Sequence, residues 1–306
     1  MFFQAPPVVQ SVVFATVPQH LRKQGQPSSW IEANHPGSGI DCFLEGPAFD
    51  RAGNLYVVDI PYGRILRFSP KGECDVAAEY DGWPNGLAIH RDGRIFIADY
   101  RHGIMVLDPE TGRVEPHLTH CYSESFKGVN DLTFAMNGDL YFTDQGQTGM
   151  HDPTGRVYRR TVDGRIDCLI NNGPSPNGLV LDLRDQTLFV AMTRANCMWH
   201  APLKPGGGVA KAGVFALLPG MHGPDGLAMD EQGNLAVAHP RAGRVWLFSS
   251  IGAPLLQIQT TIKGSRMTNI AYGGPNRKTL FITESYSGTI LAAPMPVPGK
   301  ALYSHL

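Results

Sequence analysis

Apolar and polar positions along the chain fall into a unit that recurs six times: a short apolar run, a polar turn containing Gly, then an alternating second run. The first runs read Glu45-Gly-Pro-Ala-Phe, Asn85-Gly-Leu-Ala-Ile, Asn130-Asp-Leu-Thr-Phe, Asn177-Gly-Leu-Val-Leu, Asp225-Gly-Leu-Ala-Met and Thr268-Asn-Ile-Ala-Tyr. Their opening residues, hereafter the register residues, lie 40, 45, 47, 48 and 43 positions apart. That period belongs to propellers and solenoids. Tight-turn signals such as Asp50-Arg-Ala-Gly-Asn and His90-Arg-Asp-Gly-Arg link each first run to a second, as in β-hairpins. The second runs, among them Leu55-Tyr-Val-Val, Ile95-Phe-Ile-Ala and Leu280-Phe-Ile-Thr, are rich in β-branched and aromatic residues, as buried strands are. Third strands follow, for example Arg64-Ile-Leu-Arg-Phe and Arg244-Val-Trp-Leu-Phe, with weaker fourth strands such as Asp75-Val-Ala-Ala-Glu-Tyr.

Six four-stranded antiparallel sheets predict an all-β fold, a six-bladed β-propeller, in one domain over residues 1–306. The blades are expected at 42–81, 82–120, 121–172, 173–219, 220–260 and 261–296. The sixth unit runs into the Pro-rich Met295-Pro-Val-Pro-Gly before a fourth strand appears. An unassigned strand around residues 10–18, containing Ser11-Val-Val-Phe-Ala-Thr-Val, is expected to supply it and latch the ring, removing exposed sheet edges. A β-solenoid, the other architecture of this period, would show even repeats without such complementation.

Composition narrows the function. A hydrophobic content of 42% with 35 Gly and 24 Pro suits many strands and turns. A net charge of −1 offers no basic field for nucleic acid. No run of apolar residues is long enough to span a membrane as a helix, and the start MFFQAPPVVQ lacks the features of a signal peptide. A cytoplasmic protein is therefore expected. Cys42, Cys74, Cys121, Cys168 and Cys197 are odd in number and form no CxxC pair, so they read as buried thiols rather than metal or disulfide cysteines.

In a propeller the first strand of each blade lines the central channel, so the register residues converge at one mouth. Glu45, Asn130, Asn177 and Asp225, with Asn85 beside them, offer an all-oxygen cage for a hard divalent cation. Calcium, which takes 6–8 oxygens, would keep places for water and substrate. Asn-Gly and Asp-Gly also serve as plain strand-entry turns, but a turn does not call for Glu. Two carboxylates facing across a narrow channel repel unless a cation or proton intervenes.

The ends of the second strands form another ring: Asp59, Asp99, Asp144 and His239, with Met192 and Glu284 in the remaining places. Asp at a strand end often caps the following turn, which is the expectation for Asp59 and Asp99. Asp144, His239 and Glu284 are the candidates for contact with substrate.

With Leu44-Glu45-Gly-Pro, Gly128-Val-Asn130-Asp-Leu, Leu140-Tyr-Phe-Thr-Asp144, Pro176-Asn177-Gly and Pro224-Asp225-Gly, the chain resembles the SMP-30/gluconolactonase/LRE-like family of six-bladed propellers over nearly its whole length. The resemblance implies that Glu45, Asn130, Asn177 and Asp225 hold a catalytic divalent metal, commonly calcium, with zinc, manganese or iron(II) as other choices. It implies hydrolysis of a lactone, with the metal polarising the carbonyl and Asp225 activating water or attacking directly. Asn130 and Asn177 would orient the substrate oxygen, and His222 and His239 are candidates for proton transfer.

One departure bears on substrate. Some sugar-lactone members carry Arg two residues before the third-blade Asn, where this chain has Gly128 with Lys127 beside it. Trp30, in the long segment ahead of Glu45, is a candidate lid residue, and Tyr122, Phe126, Gln147, Met150 and His151 flank Asn130 and Asp144. Such an aromatic, amide-lined pocket would suit a less hydrophilic lactone than an aldonate precursor. Two other readings stay open: a phosphotriesterase-like or other ester hydrolase on the same metal, and a non-catalytic binding propeller with a structural ion. Neither lactone identity nor oligomeric state is written in the sequence.

Overall fold

The computed structural model describes residues 5–306. Six antiparallel blades surround an axis, and each is numbered here from its inner strand: Leu44–Phe49, Pro84–Ile89, Val129–Phe134, Pro176–Leu181, Leu227–Met229 and Met267–Gly273. The second strands, such as Leu55–Asp59 and Leu235–His239, are almost wholly buried because blades stack against both their faces. Buried on two sides, they need no polar alternation, which is why they read as continuous apolar runs. Outer strands such as Arg113–Leu118 carry exposed polar residues instead.

The ring closes with N-terminal chain. Val12–Thr16 pairs antiparallel with Thr289–Pro294 and completes blade six, as expected from the sequence. A second hook was not foreseen: Val8–Gln10 adds in parallel to Pro254–Gln259, the outer strand of blade five. One short segment therefore covers two neighbouring sheet edges, and Thr268 Oγ1 and Ser285 Oγ fasten blade six to the Leu44 carbonyl of blade one.

The inner strands share one irregularity. Register shifts fall at Glu45/Ala48, Pro84/Gly86, Val129/Leu132, Pro176/Leu179 and Met267/Asn269, and in blade five regular pairing starts only at Leu227, after Asp225. A bulge bends its strand and re-aims the local side chain. Here it lies at each register residue, on the channel mouth.

The opposite mouth is covered by the C-terminal tail, to which the sequence pattern assigned no role. Lys300 Nζ donates to the carbonyls of Leu181 and Asp182 and to Asp185 Oδ1 (3.2, 2.7 and 2.7 Å). Tyr303 is buried against His90 and Phe134, and Arg51 Nε donates to the Ser304 carbonyl. Beneath this cap lies a chamber of about 110 Å³ lined by apolar inner-strand residues, with Asp131 and Asn269 at its inner end. No helix among the described residues is long and apolar enough to cross a membrane.

Because Tyr303 anchors the cap in an apolar cluster, Tyr303→Ala should cost ~3 kcal/mol, the scale of aromatic truncation in a core. Chemical denaturation measures this, and a loss below ~1 kcal/mol would show that the tail merely lies on the surface.

Candidate active site

At the uncapped mouth a cavity of about 780 Å³ opens onto the axis. The bulged inner strands deliver Asn85, Asn177, Asp225 and Thr268 to its wall, while Glu45 and Asn130 sit buried alongside. Trp30, His151 and His222 also line it, and so do Gln147 and Met150.

Electrostatics there are unfavourable for a bare protein. Burial pushes the Glu45 carboxyl up to about 7, against the opposing pull of the Gly46 N–H, which donates to Oε2 at 3.0 Å, and of Thr268 and Asn269. Asp225 is raised well above the usual carboxylate range, first by burial and then by repulsion from Glu45 and Asp131. Asp131 is itself pushed up to about 7 by burial, with Glu45 adding repulsion. Three carboxyls thus crowd one axis with no Lys or Arg among them.

The second observation is an orphaned acceptor. Asn130 Nδ2 donates to Gln145 Oε1 at 3.2 Å, which fixes the amide, yet Asn130 Oδ1 is buried without a hydrogen-bond partner. A buried acceptor left unpaired costs about 1–3 kcal/mol. A cation at this place would satisfy Asn130 Oδ1 and neutralise Glu45 and Asp225 together, so the residues present fit a hard divalent ion. Among the described residues no cluster of three His, Cys, Asp or Glu offers a ligand set by itself. The amides of Asn130 and Asn177 are therefore needed to complete one.

Asp131 and Asn269 were not singled out by the sequence reading, although the signal was present. They follow register residues at the place where the other four units carry Gly. The structure explains the alternation: a Cβ on Gly86 would lie 2.5 Å from Asp131 Oδ1, and one on Gly226 would lie 2.0 Å from Asn269 Oδ1. Two polar side chains occupy the axis only because neighbours have none. Thr268, likewise passed over, lines the cavity and bonds Ser285 and Thr283.

Six expected pocket residues lie outside the cavity. Asp144 Oδ1 accepts from the Gly128 N–H at 2.8 Å, and Glu284 Oε1 accepts from the Arg266 N–H at 2.6 Å. Asp59 does the same for the Phe43 N–H. In each case the carboxylate grips the backbone two residues before the register residue, and neither Asp144 nor Glu284 lines the cavity. The buried His239 ring contacts the Met221 carbonyl and accepts from the Trp246 indole N–H, anchoring the loop that carries His222 and Asp225. Phe126 packs against Phe142 and Tyr158, and Lys127 Nζ donates to Thr154 Oγ1. Tyr122 points away, 85% exposed. Trp30 lines the cavity, packed 4.9 Å from Phe43.

Residues 43–286 match the SMP-30/Gluconolactonase/LRE-like region. The chain belongs to the SMP-30/gluconolactonase/LRE-like family. It is 28% identical to diisopropyl-fluorophosphatase of Loligo vulgaris over 288 residues, covering 85% of this chain and 91% of that protein. With the lactonase drp35 of Staphylococcus aureus it shares 30% identity over 242 residues, 75% of this chain and 72% of the relative. Its fold superposes on a calcium-binding protein, regucalcin, of Agrobacterium tumefaciens with a TM-score of 0.75 at 20% identity, covering 97% and 99% of the two chains.

Gly128, where some sugar-lactone members of this family carry Arg, has φ +154° and faces the Tyr100 ring, 2.6 Å from where a Cβ would stand. Tyr100 fills that space.

The raised carboxyls set a pH dependence. Between the ordinary Glu value of 4.5 and about 7, the metal-free native state keeps a proton on Glu45 that the unfolded chain has released. The native state then binds more protons, so stability falls as pH rises through this window. A divalent ion needs the deprotonated ligand and competes with that proton. Thermal unfolding should show a calcium-induced rise in Tm of several degrees at pH 8 and little at pH 5, and an equal rise at both would remove Glu45 from the ligand set. For Glu45→Gln the expected outcome is higher metal-free stability at pH 8 together with weaker calcium binding in calorimetry.

Proposed function

We propose that the protein is a divalent-metal-dependent hydrolase that opens a lactone ring, with Glu45, Asn130, Asn177 and Asp225 holding the ion. The observation that carries this reading is the buried, unpartnered Asn130 Oδ1 beside two mutually repelling carboxyls at the floor of an open cavity. The drp35 relative, itself a lactonase, supports the reaction class. Calcium is the metal proposed, because the donors are all hard oxygens. Five cysteines without a disulfide suit the reducing interior of a cell, where we place the protein.

When bound, the ion supplies Lewis-acid polarisation of a carbonyl oxygen. The chain supplies position and proton handling. Asp225 lies on the cavity wall, so its carboxylate takes the proton of an attacking water or attacks the carbonyl carbon itself. Asn130, held through Gln145, and Asn177 fix the orientation of the substrate oxygen. Trp30, Phe43 and Trp83 give the cavity an apolar side that excludes competing water.

The alternative is a phosphotriesterase-like or other ester hydrolase at the same ion, a reading the Loligo relative supports in that its name marks it as acting on a fluorophosphate. An open cavity of about 780 Å³ speaks for either enzyme over a sealed structural ion. Parallel turnover assays on lactones and an organophosphate separate the two, and activity confined to the organophosphate would end the lactonase reading. Chelation should abolish lactone turnover and calcium should restore it. Asp225→Asn should lower kcat at least ~100-fold, the contribution of a positioned acid–base group; near-normal turnover with the ion retained would remove Asp225 from the chemistry.

A further inference from the structure

The cavity is chemically two-sided. One wall is aromatic and amide-bearing, formed by Trp83, Tyr100 and Gln147 of blades two and three. The other carries Arg194, Arg241 and Arg266, from three consecutive blades. Arg194 and Arg241 occupy matching one-turn 3-10 segments, Thr193–Ala195 and Pro240–Ala242, each directly after a second strand. Arg266 stands just before the blade-six inner strand, its guanidinium 5.5 Å from the centre of the Tyr286 ring.

Their ionic surroundings set them apart. Arg101, after the second strand of blade two, pairs with Asp81 at 2.6 Å, and the buried Arg64 pairs with Asp59. Among the described residues the guanidiniums of Arg194, Arg241 and Arg266 have no such carboxylate. Glu284 is nearby but accepts from the Arg266 backbone N–H and from Ser287. Asp225 is the one acidic side chain among the described residues of the cavity wall. Together with Glu45 it offsets the charge of a divalent ion, and although the Arg194 charge also reaches Asp225, no carboxylate among the described residues bonds any of the three guanidiniums. Their field reaches the cavity: the exposed His222 is held below the usual imidazole range by slight desolvation and then by Arg241, Arg194 and Arg266, and His35 by burial, Arg241 and Arg266.

Resting on the lactonase reading, we propose that Arg194, Arg241 and Arg266 select a substrate with an anionic substituent, a carboxylate or phosphate monoester on the lactone. A planar guanidinium fork matches such groups and presents paired N–H donors to their oxygens. Were the ester carbonyl held at the ion, Arg194, Arg241 and Arg266 would receive the anion and Trp83 and Tyr100 would pack against the ring. The sequence suggested a less hydrophilic substrate because the aromatic residues near Asn130 are clustered in the chain. The arginines are spread over residues 194–266 and meet only in the fold.

The test compares three γ-lactones with the calcium-loaded enzyme: one bearing a ring carboxylate, its neutral carboxamide, and a phosphate monoester of a hydroxymethyl lactone. An anionic lactone should exceed the carboxamide in kcat/KM by at least about tenfold, the factor for one charge-assisted hydrogen bond. The preference should reside in KM and shrink as salt rises. In Arg241→Gln/Arg266→Gln the ratio should collapse toward one; which anion leads distinguishes carboxylate from phosphate. A ratio near one in the wild type, or one that survives the double substitution, overturns the proposal. So does a variant in which only inhibition by the carboxylate product is relieved. If no lactone is turned over, calorimetric binding of a dicarboxylate to wild type and variant decides separately: binding lost in the variant keeps the anion site while the lactonase reading falls.

Discussion

The acidic side chains on the axis depend on closure of the ring. Glu45, Asp131 and Asp225 come from different blades and repel one another in a buried channel, a placement that a free chain would avoid. Ring closure holds them there. Because every blade packs on two neighbours and blade six is completed by N-terminal chain, moving one register residue outward would mean opening the ring. The strain of like charges is thus offset by the apolar contacts of six buried sheets, and it leaves a site ready for a cation.

Close approach at the axis governs the rest. Inner strands come near enough that Gly86 and Gly226 must lack side chains, which gives Asp131 and Asn269 their room. Bulges at the same level turn the register residues toward the mouth. The carboxylates of Asp59, Asp144 and Glu284 then hold the backbone just ahead of three of those residues. Site geometry is therefore set by backbone irregularity and by buried acceptors behind the cavity.

Division of labour between the two ends follows. The tail from Lys300 to His305 covers one mouth with hydrogen bonds and an aromatic anchor, so exchange with solvent is concentrated at the other. There aromatic residues of blades two and three and arginines of blades four to six line one cavity, the first suited to a ring and the second to a charge.

The sequence by itself determined the blade count, the antiparallel sheets and the latch, and it named the oxygen donors proposed for the ion. These rest on local signals, namely strand-length apolar runs, turn residues at fixed offsets and a period that recurs in the chain. Asp131 and Asn269 were equally legible as departures from Gly, but their meaning requires the distance between blades. Only the tertiary structure decided that Asp144, His239 and Glu284 brace the site from behind, that Tyr100 occupies the space beside Gly128, and that Arg194, Arg241 and Arg266 meet. The physical reason is the same in each case. A strand-end carboxylate has the same sequence signature whether it points at solvent, substrate or a neighbouring N–H, and a charge is paired or unpaired only by what the fold brings beside it.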